Sequence, residues 1–286
     1  MKIDKSINIL IVGLGLLGGS YAMSLKRQGY KVSAITKEQS SVDFAMEKGI
    51  IDYGTINVEP ELVAKADLVI FALYPHVFIE WIEKNQALFK PGTVITDVTG
   101  VKDCVVYRVQ DMLRKDVEFI SAHPMAGREV YGVENSDDSI FQQANYIVVP
   151  TSKNTPRAVS LCRSLGETLG FAKISQISPE KHDEMIAFLS QLTHCIAISL
   201  MCANDSPALE HYTGDSFRDL TRIARINDEM WSELFIDNKE ALLREMDAFM
   251  MEFSKLRNSL EKEDTETMRQ MMRVSTIRRM RFDELI

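Results

Sequence analysis

The stretch NILIVGLGLLGGSYAMSL, Asn8–Leu25, sets the class of this protein. It opens on a continuous apolar run, passes through Gly13-x-Gly15-x-x-Gly18, and continues with the spacing of a helix. An apolar strand that feeds a glycine turn and then a helix is the first unit of a parallel α/β sheet. Gly13 permits the tight turn, Gly15 lets the backbone approach a pyrophosphate, and Gly18 lets the helix pack close to the strand. Amides at the helix start, around Leu16 and Leu17, then face the negative charge. These five residues are the candidate cradle for a dinucleotide.

Outward from this stretch the same rhythm repeats as far as Ile177. Apolar runs (YKVSAIT, ADLVIFAL, GTVITDV, VEFISA, NYIVVP, AKISQI) alternate with helix-like stretches such as SYAMSLKRQG and HVFIEWIEKNQALF. Strands that are apolar throughout need both faces covered. Residues 1–177 are therefore expected to form a Rossmann-like, doubly wound, mostly parallel α/β sheet. After Ser178 the rhythm is wholly helical, beginning with a serine cap and Pro179 at the first helical position. Residues 178–286 are expected to form a helical domain. Leu242, Met246, Phe249, Phe253, Leu256 and Leu260 recur at steps of four and three, one apolar stripe on one helix. The stripe reads either as core packing or as a face shared with a second subunit.

Composition narrows the function classes. Of 286 residues, 45% are hydrophobic and 26% charged, as in globular proteins, and the net charge is −8. The one basic cluster, RVSTIRRMRF, is too short for a nucleic-acid surface, so no nucleic-acid partner is expected. No apolar run reaches the roughly 18 residues that span a bilayer. The apolar start lacks the length of a signal peptide. A cytoplasmic protein with no membrane partner is expected. Cys104, Cys162, Cys195 and Cys202 have no C-x-x-C spacing and read as buried thiols; no metal is expected.

The end of the second strand bears on the choice of dinucleotide. An acid about 20 residues beyond the glycine loop would take the ribose hydroxyls of NAD. Here the strand ends in Thr36 and Lys37, with Ser40 and Ser41 beyond. A hydroxyl and an ammonium accept a 2′-phosphate that an acid would repel. The pattern favours NADP over NAD, with Glu38 as the one acid able to take the hydroxyl role.

In VEFISAHPMAGRE, Val117–Glu129, an imidazole stands where an apolar strand stops. Ligands of open α/β sheets sit outside the carboxyl ends of the strands. A hydride-transfer site needs a base that titrates near neutrality. His123 is a candidate for that base, and a loop histidine of no catalytic role is the alternative. TDVTGVK, Thr96–Lys102, occupies the equivalent place at the end of the fourth apolar run, GTVITDV.

Taken together, Gly13–Gly18, DLVIFALYP (Asp67–Pro75), TDVTGVK, HPMAGRE (His123–Glu129), HDEMIAFLSQLTH (His182–His194) and FRDLTRIARINDEMW (Phe217–Trp231) resemble the prephenate/arogenate dehydrogenase family. The resemblance runs in order through nearly the whole chain. It implies a nucleotide-binding domain followed by an all-helical dimerisation domain, hence a homodimer through the C-terminal helices. It implies oxidative decarboxylation of prephenate to 4-hydroxyphenylpyruvate, or of arogenate to tyrosine. In that reaction His123 hydrogen-bonds the ring hydroxyl and draws off its proton. Arg222 holds a carboxylate of the small dicarboxylate substrate, and the spacing of Asp219, three residues before it, makes Asp219 the candidate to orient it. Ser190 and His194 match positions near the substrate side chain, with a buried, satisfied histidine as the alternative for His194; Leu73 and Tyr74 lie beside the cofactor, and Trp231 packs.

Two departures stand out. Gly100 replaces the serine that many relatives carry, so either Thr99 is the candidate hydroxyl at the catalytic centre or that contact is absent. Arg128 stands where some relatives have a neutral residue, and either attracts a carboxylate or pairs with Glu129. Two rival readings remain: a β-hydroxyacid dehydrogenase, whose lysine would have to be Lys181, and a sensor that binds NADP without turnover.

Overall fold

The computed structural model describes residues 3–283. Six strands make the first sheet: β1 (Asn8–Val12), β2 (Lys31–Ile35), β3 (Tyr53–Thr55), β4 (Leu68–Phe71), β5 (Val94–Asp97) and β6 (Glu118–Phe119). Their order is β3-β2-β1-β4-β5-β6, and every pair is parallel. Strand alternation divides the core into two clusters. Ile9 and Ile11 of β1 face one cluster, Leu10 and Val12 the other. On the first side the sheet is covered by α1 (Leu16–Arg27); on the second by α3 (Pro60–Lys65), α4 (Pro75–Asn85) and α5 (Asp103–Met112), while α2 (Gln39–Glu47) lies beside β3. The doubly wound, mostly parallel sheet read from the sequence is present. The short β3 was not read, because Tyr-Gly-Thr carries no apolar run.

One expected strand divides in two. VEFISA gives two residues to β6, and the chain then joins a second sheet as β7 (Ser121–Pro124). That sheet runs β7-β8-β9, with β8 (Asn145–Val149) antiparallel to β7 and parallel to β9 (Lys173–Gln176). The helix α6 (Pro156–Leu169) packs over it. The cause of the split is the Asp97 carboxylate, which accepts hydrogen bonds from the Ser121 hydroxyl at 2.6 Å and the Ala122 amide at 3.1 Å. A side chain thus takes donors from the segment that would otherwise continue the parallel ladder.

The helical part begins with one continuous run. α7 (Pro179–Ile186) passes through a π-helical turn, 187–192, into α8 (Thr193–Cys202). By length and composition this run is able to cross a membrane, which corrects the expectation that none is. Ser190, Gln191, Thr193 and His194 interrupt the apolar residues without a full charge, so no unbroken apolar stretch stands out. In the fold, His182, Asp183 and Gln191 of the run are buried against protein. α9 (Asp215–Thr221) and α10 (Asp228–Asp237) follow. The residues up to Asn238 form one compact unit. Within it α10 caps α4: Glu233 accepts from the His76 amide and lies 2.8 Å from the His76 ring. Gln191 donates to the Leu234 carbonyl and Asn238 to Gln191, fixing the long run to α10.

The residues from Lys239 on form a second compact unit, the pair α11 (Lys239–Glu261) and α12 (Thr265–Asp283). Its turn places Glu263 at φ 53°, and Asp264 caps α12 by accepting from Thr267. Most of the apolar stripe is uncovered: Phe253 is 63% and Leu260 66% exposed, as are Met272, Ile277 and Met280 on α12. The core-packing reading of that stripe holds at Leu242, which is buried, and is corrected from Phe249 onward. The cysteine reading is corrected too: Cys162 is buried, but Cys104 and Cys202 are exposed and Cys195 is half-buried.

Candidate active site

The glycine loop closes β1 onto α1. Gly13 has φ +102°, and a Cβ there would stand 2.4 Å from the Ala72 carbonyl oxygen. A Cβ on Gly18 would stand 1.9 Å from the Gly13 carbonyl oxygen, so only glycine allows this approach. A Cβ on Gly15 would meet nothing within 4 Å. Gly15 is the N-cap of α1, with no side-chain cap and no acid in the first turn. The first amides of a 12-residue helix are thus left for an anion beside open space. The arrangement fits a dinucleotide pyrophosphate at the carboxyl end of β1, the switch point of this strand order. Leu73 lines the back of the loop, its methyl 2.9 Å from the built Gly13 Cβ. The Tyr74 hydroxyl accepts from Asn227 at 2.9 Å. Beyond β2, Thr36 is half-buried while Lys37 and Ser40 are exposed. Ser41, expected beside Ser40 as a further donor to a 2′-phosphate, is instead buried on the inward face of α2.

Beneath the carboxyl ends of β5 and β6 lies a buried ion pair. The Lys102 ammonium donates to Asp97 at 2.8 Å, to the Ala122 carbonyl at 2.7 Å and to the Thr99 hydroxyl at 3.1 Å. Both charged side chains are fully buried. All three ammonium protons have acceptors, and both Asp97 oxygens have several donors. Burial pushes the Asp97 carboxyl up, but the charge and hydrogen bond of Lys102 outweigh it and hold it below the usual range. Burial pulls Lys102 down, opposed by Asp97. Thr99 donates its hydroxyl to the Asp97 carboxylate, with the Val101 carbonyl 3.0 Å from the same hydroxyl oxygen, and is only 3% exposed. It is part of the support under the site, which corrects its assignment to the catalytic centre. A Cβ on Gly100 would touch only Leu234 methyls at 3.4 and 3.5 Å, so a side chain fits there.

His123 follows directly on Ala122, whose amide and carbonyl are both held by this pair. It is half-buried in β7. Its Nδ1 lies 2.8 Å from Nε2 of His182, and His182 Nδ1 lies 2.7 Å from Asp183 Oδ1. Asp183 in turn accepts the amides of Lys102 at 2.9 Å and Asp103 at 2.8 Å, at the start of α5. Burial, with His182 and Lys102 adding to it, pulls the His123 pKa well below the ordinary histidine value. His182 is pulled down to about 3 by burial and Lys102. Both rings are neutral at physiological pH. The sequence motifs contain His182, Asp183, Asp97 and Lys102, but none of the four is among the candidate site residues. The signal was there in the adjacent His-Asp of EKHDEM and the Asp and Lys of TDVTGVK, but only the fold brings them to His123.

The remaining candidates gather around the loop after His123. Arg222 donates to Glu129 at 2.6 Å, with 65% of its side chain exposed. In the structure the partner of Arg222 is Glu129, and Asp219 is exposed on α9. Arg128 pairs with Asp137 at 2.5 Å and not with Glu129. The Asp137 amide itself donates to Ser20 of α1 at 3.0 Å, tying this loop to the glycine loop's helix. His194 stacks on Trp231, ring centroids 3.7 Å apart, and its Nδ1 lies 2.8 Å from the Ser190 carbonyl. Burial lowers the His194 pKa, opposed by the hydrogen bond to Ser190 and the charge of Glu129. Ser190, on the π-helical turn, is half-buried. Lys181 is engaged by Glu184 at 2.9 Å on the exposed side of α7.

The family model described as "Prephenate dehydrogenase, nucleotide-binding domain" matches residues 21–175, and that described as "Prephenate dehydrogenase, dimerization domain" matches residues 178–274. The chain is 29% identical to a prephenate dehydrogenase of Bacillus subtilis, over 91% of this chain and 72% of that one. It is 28% identical to a cyclohexadienyl dehydrogenase of Zymomonas mobilis, over 90% and 89%. It is similar to the crystal structure of the A. aeolicus prephenate dehydrogenase in complex with hydroxyphenyl propionate and NAD+, with a TM-score of 0.89, 30% identity, and 98% and 100% of the two chains covered.

Lys102→Ala leaves the Asp97 charge buried without its partner. Such a change costs about 3–5 kcal/mol. Urea unfolding of the variant should show a loss in that range, and a loss below about 1 kcal/mol would mean that the pair does not hold the site.

Proposed function

The chain belongs to the prephenate dehydrogenase family, and from that premise we propose that it oxidatively decarboxylates prephenate to 4-hydroxyphenylpyruvate in tyrosine biosynthesis, using NADP. The observation that carries the reading is His123: a ring kept neutral by burial, with Nδ1 engaged and Nε2 left to meet a hydroxyl. The glycine loop and the first amides of α1 would hold the pyrophosphate of a dinucleotide, whose nicotinamide would supply the hydride acceptor for the ring carbinol carbon. His123 takes the hydroxyl proton as that C–H bond breaks and the C=O forms. The ring then loses carbon dioxide, and the electron pair of the broken C–C bond flows through the ring to the oxygen. His123 returns the proton to that oxygen, leaving a phenol, so no net proton is released. A neutral base is what this loan requires. Arg222 holds a substrate carboxylate, which takes the place that Glu129 fills in the structure.

Support for NADP comes from the end of β2, where Thr36 and the exposed Lys37 stand in place of an acid. Glu38 is the nearest acid, 3.9 Å from the Lys37 ammonium. Support for a homodimer comes from the exposed apolar faces of α11 and α12, which a second copy of the chain would cover.

Reduced nicotinamide should accumulate when the purified protein is given prephenate and NADP; no turnover with prephenate or arogenate sinks the reading. His123→Asn should lower kcat by roughly 10²–10⁴-fold with KM little changed. Arg222→Ala should instead raise KM, by roughly 10–100-fold for the loss of a charge-assisted hydrogen bond of about 1.5–3 kcal/mol. Lys37→Ala should raise KM for NADP about 10-fold and leave that for NAD unchanged; equal effects on the two cofactors argue against a 2′-phosphate contact. Sedimentation should give twice the chain mass of 32.5 kDa. Phe253→Glu should shift the protein toward monomer, and a monomeric wild type excludes the proposed dimer.

A further inference from the structure

The relay behind His123 has a direction. Building on the proposed reaction, we infer that Asp183, acting through His182, fixes the tautomer of His123 with its proton on Nδ1, so that Nε2 is the bare nitrogen that receives the substrate proton. Asp183 is thereby a positioning residue, not a catalytic one.

The assignment follows from counting protons. The Asp183 carboxylate accepts the amides of Lys102 and Asp103 and has no proton of its own to give. Its Oδ1 is 2.7 Å from His182 Nδ1, and two acceptors do not approach that closely without a proton between them. The proton of neutral His182 is therefore on Nδ1, and its Nε2 carries a lone pair. His123 Nδ1 lies 2.8 Å from that lone pair and must donate to it. The one proton of neutral His123 is then spent, and Nε2 is bare. Two neutral rings carry two protons, and both point toward the carboxylate.

The direction of the relay depends on pH. Burial raises the Asp183 pKa to about 6, against the lowering effect of the Asp103 and Lys102 amides. The ionisable groups around it are Glu180 and His182 on its own helix, Asp103, Cys104 and Lys102 at the start of α5, and Asp237 on α10. Below about pH 6 the carboxyl gains one proton and becomes a donor to His182 Nδ1. The His182 proton then resides on Nε2 and donates to His123 Nδ1, and the His123 proton resides on Nε2, where it blocks the acceptor. Activity is present above about pH 6 and lost as pH falls through it. His123 itself protonates well below its ordinary value, so this limb belongs to Asp183.

Asp183→Asn tests the inference. The amide oxygen can still accept the α5 amides, while its NH₂ faces His182 and reverses the relay. In a Ser-His-Asp triad the corresponding swap lowers kcat roughly 10⁴-fold through the wrong tautomer. Here kcat should fall at least about 100-fold with KM within about 3-fold, and the acid limb near pH 6 should vanish. In ¹⁵N NMR of the free protein, His123 of the wild type should show a protonated Nδ1 and a bare Nε2, and Asp183→Asn the reverse. Should that variant fail to fold, the wild type alone decides: titrated downward, its His123 signals should exchange tautomers near pH 6. A wild-type His123 protonated on Nε2 above that pH, or an Asp183→Asn enzyme with normal kcat, overturns the inference. The NMR result needs no substrate, so it is separable from the turnover assay that tests the reaction itself.

Discussion

The buried Lys102–Asp97 pair is the constraint on which the rest of the site depends. Desolvating two charges is expensive, and the pair is tolerable only because every proton and most lone pairs have a partner. Those partners are not arbitrary. They are the Ser121 and Ala122 groups that begin β7, and the Thr99 groups of the loop after β5. Satisfying the charges therefore fixes the place where the chain leaves the parallel sheet. His123, one residue farther on, inherits a backbone held from both sides. An apolar pair of equal volume would have filled the same space without specifying this exit.

The second link joins the helical run to the sheet. Asp183 offers its carboxylate to the open amides at the start of α5, as an acid at a helix N-terminus does favourably. In the same contact it delivers His182 to the back of His123. One residue thus docks the helix and completes the relay. The π-helical turn immediately after Ile186 belongs to the same arrangement. It widens the helix before His194, whose ring then rests on Trp231. Wide turns of this kind are frequent at functional sites.

Much of this was legible in the residues. The glycine spacing and the unbroken apolar strands specify a doubly wound sheet because each is a local demand, on backbone approach or on two-sided burial. His123 and Arg222 were singled out by position and motif. What was not legible depends on side chains that act across long sequence separations. VEFISA reads as one strand because nothing local tells that Asp97, from β5, captures Ser121 and Ala122. Thr99 reads as a free hydroxyl because its partner, two residues earlier, is buried with it only once Lys102 folds back. Asp219 reads as the partner of Arg222 because three residues separate them on a helix, whereas Glu129 arrives from a loop 93 positions away. The apolar stripe of α11 fits the helical period whether or not anything covers it, so periodicity cannot separate core from interface.

The two ends of the site are built in opposite ways, and the chemistry explains why. The base must keep one tautomer and one position through every turnover, so its supports are buried and none is exchangeable. The substrate clamp must release product, so it cannot be locked. Arg222 is mostly exposed and its partner Glu129 sits on the loop that follows His123. An exposed ion pair of this kind is worth about 0–1 kcal/mol, little enough for an incoming carboxylate to displace. Rigid support under the proton acceptor and a weak, replaceable pair at the anion clamp are what a site needs when it must hold its reacting geometry fixed and still let a charged product leave.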